Sequence, residues 1–266
     1  MTPRSAQIRR ETIVELATSS GATNVGELAE RFGVTQSTIR RDLAQLSEDG
    51  KITRTFGGAI GLFTPREASL RQRIGDGYAA KRAIGKWART LVNAGDSVLL
   101  DAGSSVGALA HELRHAERIH VVTMSLKVID ELAEARNIVL ECLGGRLRSM
   151  SEAFVGPLTE SALERMTFDS AFLGTDGVDA VRGICEADLE QTRLKEIMSD
   201  RADRVYVLAH SAKVGATPFH AWAKLEEPWT LVTDAGISSE QLLPFLGTGV
   251  EIIVIGDDGE VIFTQK

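Results

Sequence analysis

The chain is short of the residues that would take it out of the soluble globular class. Only two of its 266 residues are cysteines, Cys142 and Cys185. They stand far apart without Cys-x-x-Cys or Cys/His spacing, so no disulfide framework, zinc site or other cofactor is indicated, and both read as buried small apolar residues. No stretch approaches the roughly 18 uninterrupted apolar residues that a membrane span needs. Met1 to Gly21 carries arginines and glutamates where a secretory signal has an apolar core. These absences exclude a membrane partner and predict a cytoplasmic protein. Internal repeats and low-complexity segments are also missing. With 43% hydrophobic and 25% charged residues, disorder, collagen and coiled coil fall away.

Positive charge is scarce as well. A net charge of −7 argues at first against a nucleic-acid partner, because phosphate binding draws on Lys and Arg. The layout reverses that reading. Residues 1–60 hold eight Lys/Arg against seven Asp/Glu, or +1, and the remainder holds 22 against 30, or −8. A nearly neutral head on an acidic body implies two tasks, with any nucleic acid on the head.

The head, residues 1–60, reads as three helices and a hairpin. Ile8, Ile13, Leu16 and Ala17 share a helical face that ends at Ser19–Gly21. Asn24 caps a short helix with Val25, Leu28, Ala29 and Phe32 on one side, and Gly33 stops it. Thr35 opens a third helix, whose Ile39, Leu43 and Leu46 form a buried stripe and which ends near Gly50. Lys51 to Phe56, running into Gly57 and Gly58, forms a β-wing. Taking Ile39 as inward, Ser37 and Arg41 point straight out, flanked by Arg40, Thr38, Ala44 and Gln45. That face offers groove-reading chemistry. Arg takes guanine O6 and N7, Gln36 or Gln45 takes adenine, and the hydroxyls of Thr35, Ser37 and Thr38 serve bases or phosphates. Lys51 and Arg54 suit phosphates. The arrangement is a winged helix-turn-helix for double-stranded DNA.

Residues 61–80 form a linker broken by Gly61, Pro65, Gly75 and Gly77, with a short helix inside it. The body, 81–266, alternates helix and strand. Helices are predicted over 81–93, 106–115, 125–135, 157–166, 188–201 and 238–246. Apolar strands are predicted over 97–100, 119–123, 138–143, 170–173, 205–208, 231–233 and 252–255. Apolar strands separated by helices imply an α/β fold with a mostly parallel sheet covered on both faces.

In such sheets ligands bind beyond the strand ends. Asp101 follows one strand, and Gly103, Ser104 and Ser105 then open a helix whose free N–H groups favour an anion. Thr123 and Ser125 follow a second strand, Gly144 and Gly145 a third, Asp176 and Gly177 a fourth, and His210, Ser211 and Lys213 a fifth. Carboxylates for hydroxyls, helix N-termini and a lysine for phosphate make a pocket for a phosphorylated sugar or polyol. One small head makes few phosphate contacts, so tight operator binding requires a homo-oligomer of at least two chains.

The string FGVTQSTIRRDLAQLSEDGKITRTFGGA resembles, over nearly all its length, the DNA-binding signature of the DeoR family of bacterial transcription regulators. The resemblance continues from Lys81 to Asp234. Asp101-Ala102-Gly103-Ser104-Ser105 is similar to the family's Asp-x-Gly-Ser-Thr loop, Thr123-Met124-Ser125 to its Thr-Asn-Ser strand end, and Leu143-Gly144-Gly145 to its Leu-Gly-Gly turn. Asp169 to Gly177, Lys195 and Ser211 to Gly215 match later motifs. The resemblance implies a body like ribose-5-phosphate isomerase in fold, which senses phosphorylated sugars and contacts them through Asp101, Ser104, Ser105, Lys195 and Lys213. Four departures, Ser105 for Thr, Met124 for Asn, Cys185 for Thr and His210 for Asp, imply an altered or weakly bound effector. The main rival is a phosphosugar isomerase using Asp176 and Asp179 of Gly174–Asp179, but the Lys-Gly-Gly-Gly-Gly loop that would hold an enediolate is absent. A plain DNA-architectural protein would have no use for the large acidic body. A regulator that is not an enzyme, and that represses sugar or polyol genes until a phosphorylated effector releases it, is the expected function.

Overall fold

A computed structural model describes residues 7, 9, 10, 12–14, 16, 23–48, 52–55, 58–61 and 67–265, with backbone alone for 23, 48, 52–55 and 58–61. The expected positions of Ile8 and Ala17, the helix end at Ser19–Gly21, and Gly50, Lys51, Phe56, Gly57 and Pro65 lie outside the described residues. The chain divides into two compact units, Met1–Pro65 and Arg66–Lys266.

In the first unit, residues 7, 9, 10, 12–14 and 16 are helical. The short strand β1 (Thr23–Asn24) precedes helix Val25–Arg31. The Asn24 side chain caps that helix by accepting from the Gly26 N–H at 2.7 Å. The reversal into helix Gln36–Glu48 passes through Gly33 at φ +60°, a left-handed conformation that glycine adopts without a Cβ clash. Ile13, Val25, Leu28, Ala29, Ile39, Leu43 and Leu46 form this unit's core. Strands β2 (Ile52–Thr55) and β3 (Gly58–Gly61) make the wing hairpin, and β1 pairs antiparallel with β3.

The second unit is built on an eight-stranded sheet. In chain order its strands are β4 (Ser97–Leu100), β5 (Ile119–Thr123), β6 (Ile138–Cys142), β9 (Ser170–Leu173), β12 (Val205–Leu208), β14 (Trp229–Asp234), β15 (Val250–Ile255) and β16 (Val261–Gln265). Their spatial order is β16-β15-β14-β12-β9-β4-β5-β6, and every pair is parallel except β15–β16. Residues alternate between the two faces. Leu99, Val122, Leu173, Val207 and Leu231 join one core with Leu194, Ile197 and Met198 of helix Leu189–Asp200. Val98, Leu100, Val121, Phe172 and Leu208 join the other with helices Tyr78–Arg89 and Ser104–Leu113. The apolar runs in the sequence follow from this two-sided burial.

Several differences from the sequence expectation have local causes. The helix expected from 81 begins at Tyr78, and the helix expected at 125–135 is Leu126–Leu132, with Ser125 as its cap. The helix expected at 238–246 is Ser239–Leu242 followed by a 3₁₀ turn at Leu243–Phe245, where Pro244 removes an N–H. The hairpin β7 (Arg146–Arg148)–β8 (Ala153–Val155) and the small sheet β10 (Gly177–Asp179)–β11 (Gly183–Glu186)–β13 (Ala221–Ala223) were not expected. Their three- and four-residue strands carry no apolar alternation long enough to register. Cys142 is exposed, not buried, because it ends the edge strand β6, whereas Cys185 is buried as expected. Among the described residues, no helix is long and apolar enough to cross a membrane.

Helices Tyr78–Arg89 and Ser104–Leu113 approach closely through Gly85. A Cβ there would sit 2.7 Å from the Ala108 carbonyl carbon and 2.8 Å from the Leu109 nitrogen. Alanine normally stabilises a helix interior by about 1 kcal/mol over glycine, but here backbone stands in its way. Gly85→Ala is expected to lower stability by about 1–3 kcal/mol through overpacking, seen as an earlier urea midpoint. A later midpoint would refute the close contact.

Candidate functional site

Two sites emerge, one in each unit. On helix Gln36–Glu48, Ile39, Leu43 and Leu46 are buried, while Thr35, Gln36, Ser37, Arg40, Arg41 and Gln45 are exposed and Thr38 is half-buried. Thr35 opens the helix, its Oγ1 accepting from the Thr38 N–H at 3.3 Å and lying 2.9 Å from the hydroxyls of Ser37 and Thr38. Asp42 points away from this face. The buried Arg9 donates from Nε to its Oδ2 at 2.7 Å, and Arg10 Nε lies 3.6 Å from its Oδ1. The one carboxylate beside Arg40 and Arg41 is thus spent on an internal clamp, and the exposed face keeps hydroxyl, amide and guanidinium groups. No local spacing reveals a pair so distant in sequence. Lys51 and the Arg54 side chain lie outside the described residues.

The second site follows from sheet topology. From β4 the chain builds outward through β5 and β6, then returns to the other side through β9, β12, β14 and β15. A crevice opens where the direction reverses, beyond the ends of β4 and β9. Asp101 bridges it: Oδ1 accepts from the Ala102 N–H at 2.6 Å and Oδ2 from the Gly174 N–H at 2.9 Å. The buried Lys195, from helix Leu189–Asp200, ion-pairs with Asp101 Oδ2. It also donates to the Gly174 carbonyl at 2.8 Å and meets Glu186 Oε1 at 3.1 Å.

The cavity above this cluster is lined by Arg73, Gly103, Ser104, Ser105, Glu186 and Lys213, together with parts of Ala102, Ser151, Gly174, Thr175 and Gln191. It is about 10 Å³, room for about one water molecule. Gly103, at φ +147°, turns the chain into helix Ser104–Leu113, and no side chain caps that helix start. Its first N–H groups and the positive end of its dipole face this region. Lys213 donates to the Thr175 carbonyl and lies 3.9 Å from Asp176 Oδ1. Arg73 Nη1 donates to the same Oδ1 at 3.0 Å. Asp176 Oδ2 and Arg73 Nε are buried without a hydrogen-bond partner.

Burial governs the charges here. It lowers the Lys213 ammonium, Asp176 opposing and Arg73 adding to the effect. Burial and the nearby Lys213 bring Lys81 down to about 8. Lys195 behaves oppositely: burial disfavours its charge, but Asp101 and Glu186 more than reverse this and raise it. One ammonium serves two carboxylates, so burial pushes Glu186 up to about 7 against Lys195, with Asp176 and Asp101 adding to the rise.

The structure therefore gathers Gly103, Ser104, Ser105 and Lys213 of the sequence-predicted residues around one cavity, with Asp176 held against two of its lining residues, Arg73 and Lys213, and Asp101 and Lys195 behind it. Lys195, expected to contact the effector, is buried, and its ammonium meets Asp101, the Gly174 carbonyl and Glu186. Thr123, Ser125, Gly144 and Gly145 do not line the cavity. The Thr123 hydroxyl donates to the Leu100 carbonyl at 2.7 Å, Ser125 caps its helix, and the Gly144 carbonyl accepts from Thr159 at 2.9 Å. A Cβ on Gly145 would meet Thr159 Oγ1 and the Val155 carbonyl. The departures at Met124 and Cys185 fall in the hydrophobic core, not on the cavity wall. His210 faces Asp234, its Nε2 3.9 Å from Oδ1. Arg73, Glu186, Ser151 and Gln191 were missed. Arg73 read as linker, and nothing in the pattern around Glu186 says that a small sheet carries it into a crevice. Asp179, the second carboxylate of the isomerase reading, is used within its own hairpin, accepting from the Val181 and Arg182 N–H groups and pairing with the Arg182 guanidinium at 2.9 Å.

A family model described as the DeoR-like helix-turn-helix domain matches residues 9–62, and one described as the DeoR C terminal sensor domain matches residues 76–235. The chain belongs to the DeoR family of transcriptional regulators. A putative aga operon transcriptional repressor of Escherichia coli O157:H7 is 32% identical over 94% of both chains. The HTH-type transcriptional regulator GlpR of Haloferax volcanii is 34% identical over 92% of this chain and 96% of that one. A lactose phosphotransferase system repressor of Staphylococcus epidermidis is 30% identical over 85% and 91%. Among solved structures, ribose 5-phosphate isomerase A of Methanocaldococcus jannaschii aligns with a TM-score of 0.37 at 18% identity over 50% of this chain and 52% of that one; no activity follows from so distant a likeness. DeoR-family proteins are regulators and not enzymes, and the isomerase reading falls with that.

Glu186 gives this DeoR-family sensor a pH signature. A carboxyl raised from 4.5 to about 7 on folding holds a proton in the folded state that the unfolded chain has lost. Its contribution to stability is full below about pH 4.5 and is lost as pH rises through about 7. The melting temperature of the wild type is expected to fall relative to Glu186→Gln across that window. A constant difference between the two from pH 4.5 to 8 would refute the assignment.

Proposed function

We propose that the protein represses genes of sugar or polyol catabolism as a homo-oligomer of at least two chains, and that a phosphorylated sugar or polyol bound in the crevice releases it from its operator. One observation carries this reading: an uncapped helix start, Lys213 and Arg73 meet at one cavity beside a buried carboxylate oxygen without a partner. Cations and free N–H groups suit a phosphate, and the carboxylate suits a hydroxyl. Gly103, Ser104, Ser105 and Lys213 take the anion and Asp176 a hydroxyl. Asp101 and Lys195 hold the floor in position, and Thr123, Ser125, Gly144 and Gly145 shape the neighbouring strand ends. The repressors of the aga operon and of the lactose phosphotransferase system among the relatives favour a sugar signal. On the DNA side, Gln36, Ser37, Thr38, Arg40, Arg41 and Gln45 read the major groove, with Thr35, Lys51 and Arg54 on phosphates. Paired heads bind repeated half-sites.

The test pairs a footprint over the gene's own upstream region with a melting screen against hexose 6-phosphates, pentose 5-phosphates and glycerol 3-phosphate. Arg41→Ala is expected to cost about 1–3 kcal/mol at the protected site. Lys213→Ala is expected to hold the operator and no longer release it, removing a coupling of about 1–3 kcal/mol, or 5- to 150-fold. Absence of any footprint at moderate salt sinks the DNA half. An unchanged response in both Asp176→Asn and Lys213→Ala sinks the sensor half, and light scattering at the 28.7 kDa of one chain, with and without DNA, sinks the oligomer.

A further inference from the structure

Helix Leu70–Gly75 lies at the start of the Arg66–Lys266 unit, a few residues along the chain from the Met1–Pro65 unit. It forms because Ser69 and Gln72 make a reciprocal capping box, the Gln72 N–H reaching Ser69 Oγ at 3.4 Å and the Ser69 N–H reaching Gln72 Oε1 at 2.9 Å. It is fastened to the sensor at several points. Leu70 is buried, and its N–H donates to the Met150 carbonyl at 2.9 Å. Glu67 takes two hydrogen bonds from Arg148. Lys81 Nζ donates to the carbonyls of Arg73 and Asp76 at the helix end. Among these anchoring residues, Arg73 alone lines the cavity.

The way Arg73 is held is unusual. An arginine in contact with a carboxylate commonly forms two parallel bonds. Here a single bond joins Nη1 to Asp176 Oδ1 at 3.0 Å, and a buried donor, Arg73 Nε, and a buried acceptor, Asp176 Oδ2, are left over. The Asp176 side chain is 7% exposed and that of Arg73 14%, so solvent has little access to either. A molecule carrying an acceptor close to a donor satisfies both at once. A phosphate oxygen fits Nε, and a neighbouring hydroxyl fits Oδ2. A sugar or polyol phosphate brings an ionised oxygen to Nε and a separate hydroxyl to Oδ2 in one molecule; an unphosphorylated polyol lacks the charge-assisted bond, and inorganic phosphate lacks the separate hydroxyl.

We propose that Arg73 is an effector-reading residue: it exchanges Asp176 for the effector's phosphate while an effector hydroxyl takes Asp176, and the exchange shifts the helix that leads to the DNA-binding unit. This inference rests on the phosphorylated-effector reading above. It adds that the anion is sensed from the helix at the start of the second unit, and that the same contact serves affinity and release.

The experiment uses the full-length wild type, Arg73→Gln, Arg73→Lys and, as a control on the same helix, Arg71→Gln, whose side chain is 90% exposed. Melting shifts and operator release by fluorescence anisotropy are read against hexose 6-phosphates, pentose 5-phosphates, glycerol 3-phosphate, the parent polyols and inorganic phosphate. For the wild type, a sugar or polyol phosphate is expected to act at concentrations at least tenfold below those of inorganic phosphate or the parent polyol. Arg73→Gln is expected to weaken that ligand at least tenfold, because the lost anion contact outweighs the freed Asp176, and to keep more than half of its operator binding at saturation. Arg73→Lys keeps the charge and the fold, regains part of the affinity and still fails to release. Arg71→Gln behaves as wild type. If no sugar phosphate acts on the wild type, the effector reading fails and takes this inference with it. If the wild type responds and both Arg73 variants release fully at saturation, the effector reading stands and the role of Arg73 is overturned. An equal defect in Arg71→Gln overturns it too.

Discussion

The sensor is organised around one buried ammonium. Lys195 ties Asp101, at the end of β4, to the Gly174 carbonyl at the end of β9, and reaches Glu186 on the small sheet. Without it, two buried carboxylates and a carbonyl would converge with no counter-charge. Breaking such a set by removing one partner typically costs about 3–5 kcal/mol. The lysine therefore holds the two strands that diverge at the switch point in register with the loop that follows each. The positions of Gly103, Ser104 and Thr175 depend on it, although it reaches none of them.

From this floor the crevice is assembled out of pieces remote in sequence. The N-terminus of helix Ser104–Leu113 comes from one strand end, Thr175 from another and Lys213 from a third. Asp234 braces the loop bearing Lys213, accepting from the Ser211 N–H at 2.6 Å and the Ser211 hydroxyl at 2.9 Å, while Gln241 donates to the carbonyls of Ser211 and Val214. The rigidity lies around the polar groups, and their number exceeds what they can satisfy among themselves. The DNA-binding unit follows a similar economy: among its described residues the core is a handful of aliphatic side chains, and a buried ion pair, Arg9–Asp42, fastens the first helical segment to the helix that presents Arg40 and Arg41.

What was legible in the sequence was whatever a local period encodes. Ile39, Leu43 and Leu46 specified which way the third helix faces, and strands buried on both sides announced themselves as runs such as Val-Leu-Leu and Ala-Phe-Leu. The polar residues at strand ends pointed to the right edge of the sheet because topology converts chain order into position there. Three things were not legible. Lys195 matched a motif, but its partners Asp101, Gly174 and Glu186 are set by three-dimensional closure, which the motif does not show. Glu186 and Cys185 lie on a three-stranded sheet whose strands are too short to show a period. Arg73 stands in a segment that glycine and proline mark as a connection, and composition does not say which residue of a connection turns back into the domain.

The narrowness of the crevice has a thermodynamic consequence. With room for about one water molecule, this conformation is too narrow for a sugar-sized guest, and under the proposal above the guest enters as Arg73 and Asp176 part. Under that proposal the apparent dissociation constant is the intrinsic one divided by the fraction of molecules already parted. Dose and contact are thereby separated. In the proposed exchange the groups that touch a guest decide which one is accepted, while the resting hold of Asp176 at 3.0 Å and Glu67 at 3.9 Å on the Arg73 guanidinium sets the concentration at which the protein begins to notice it.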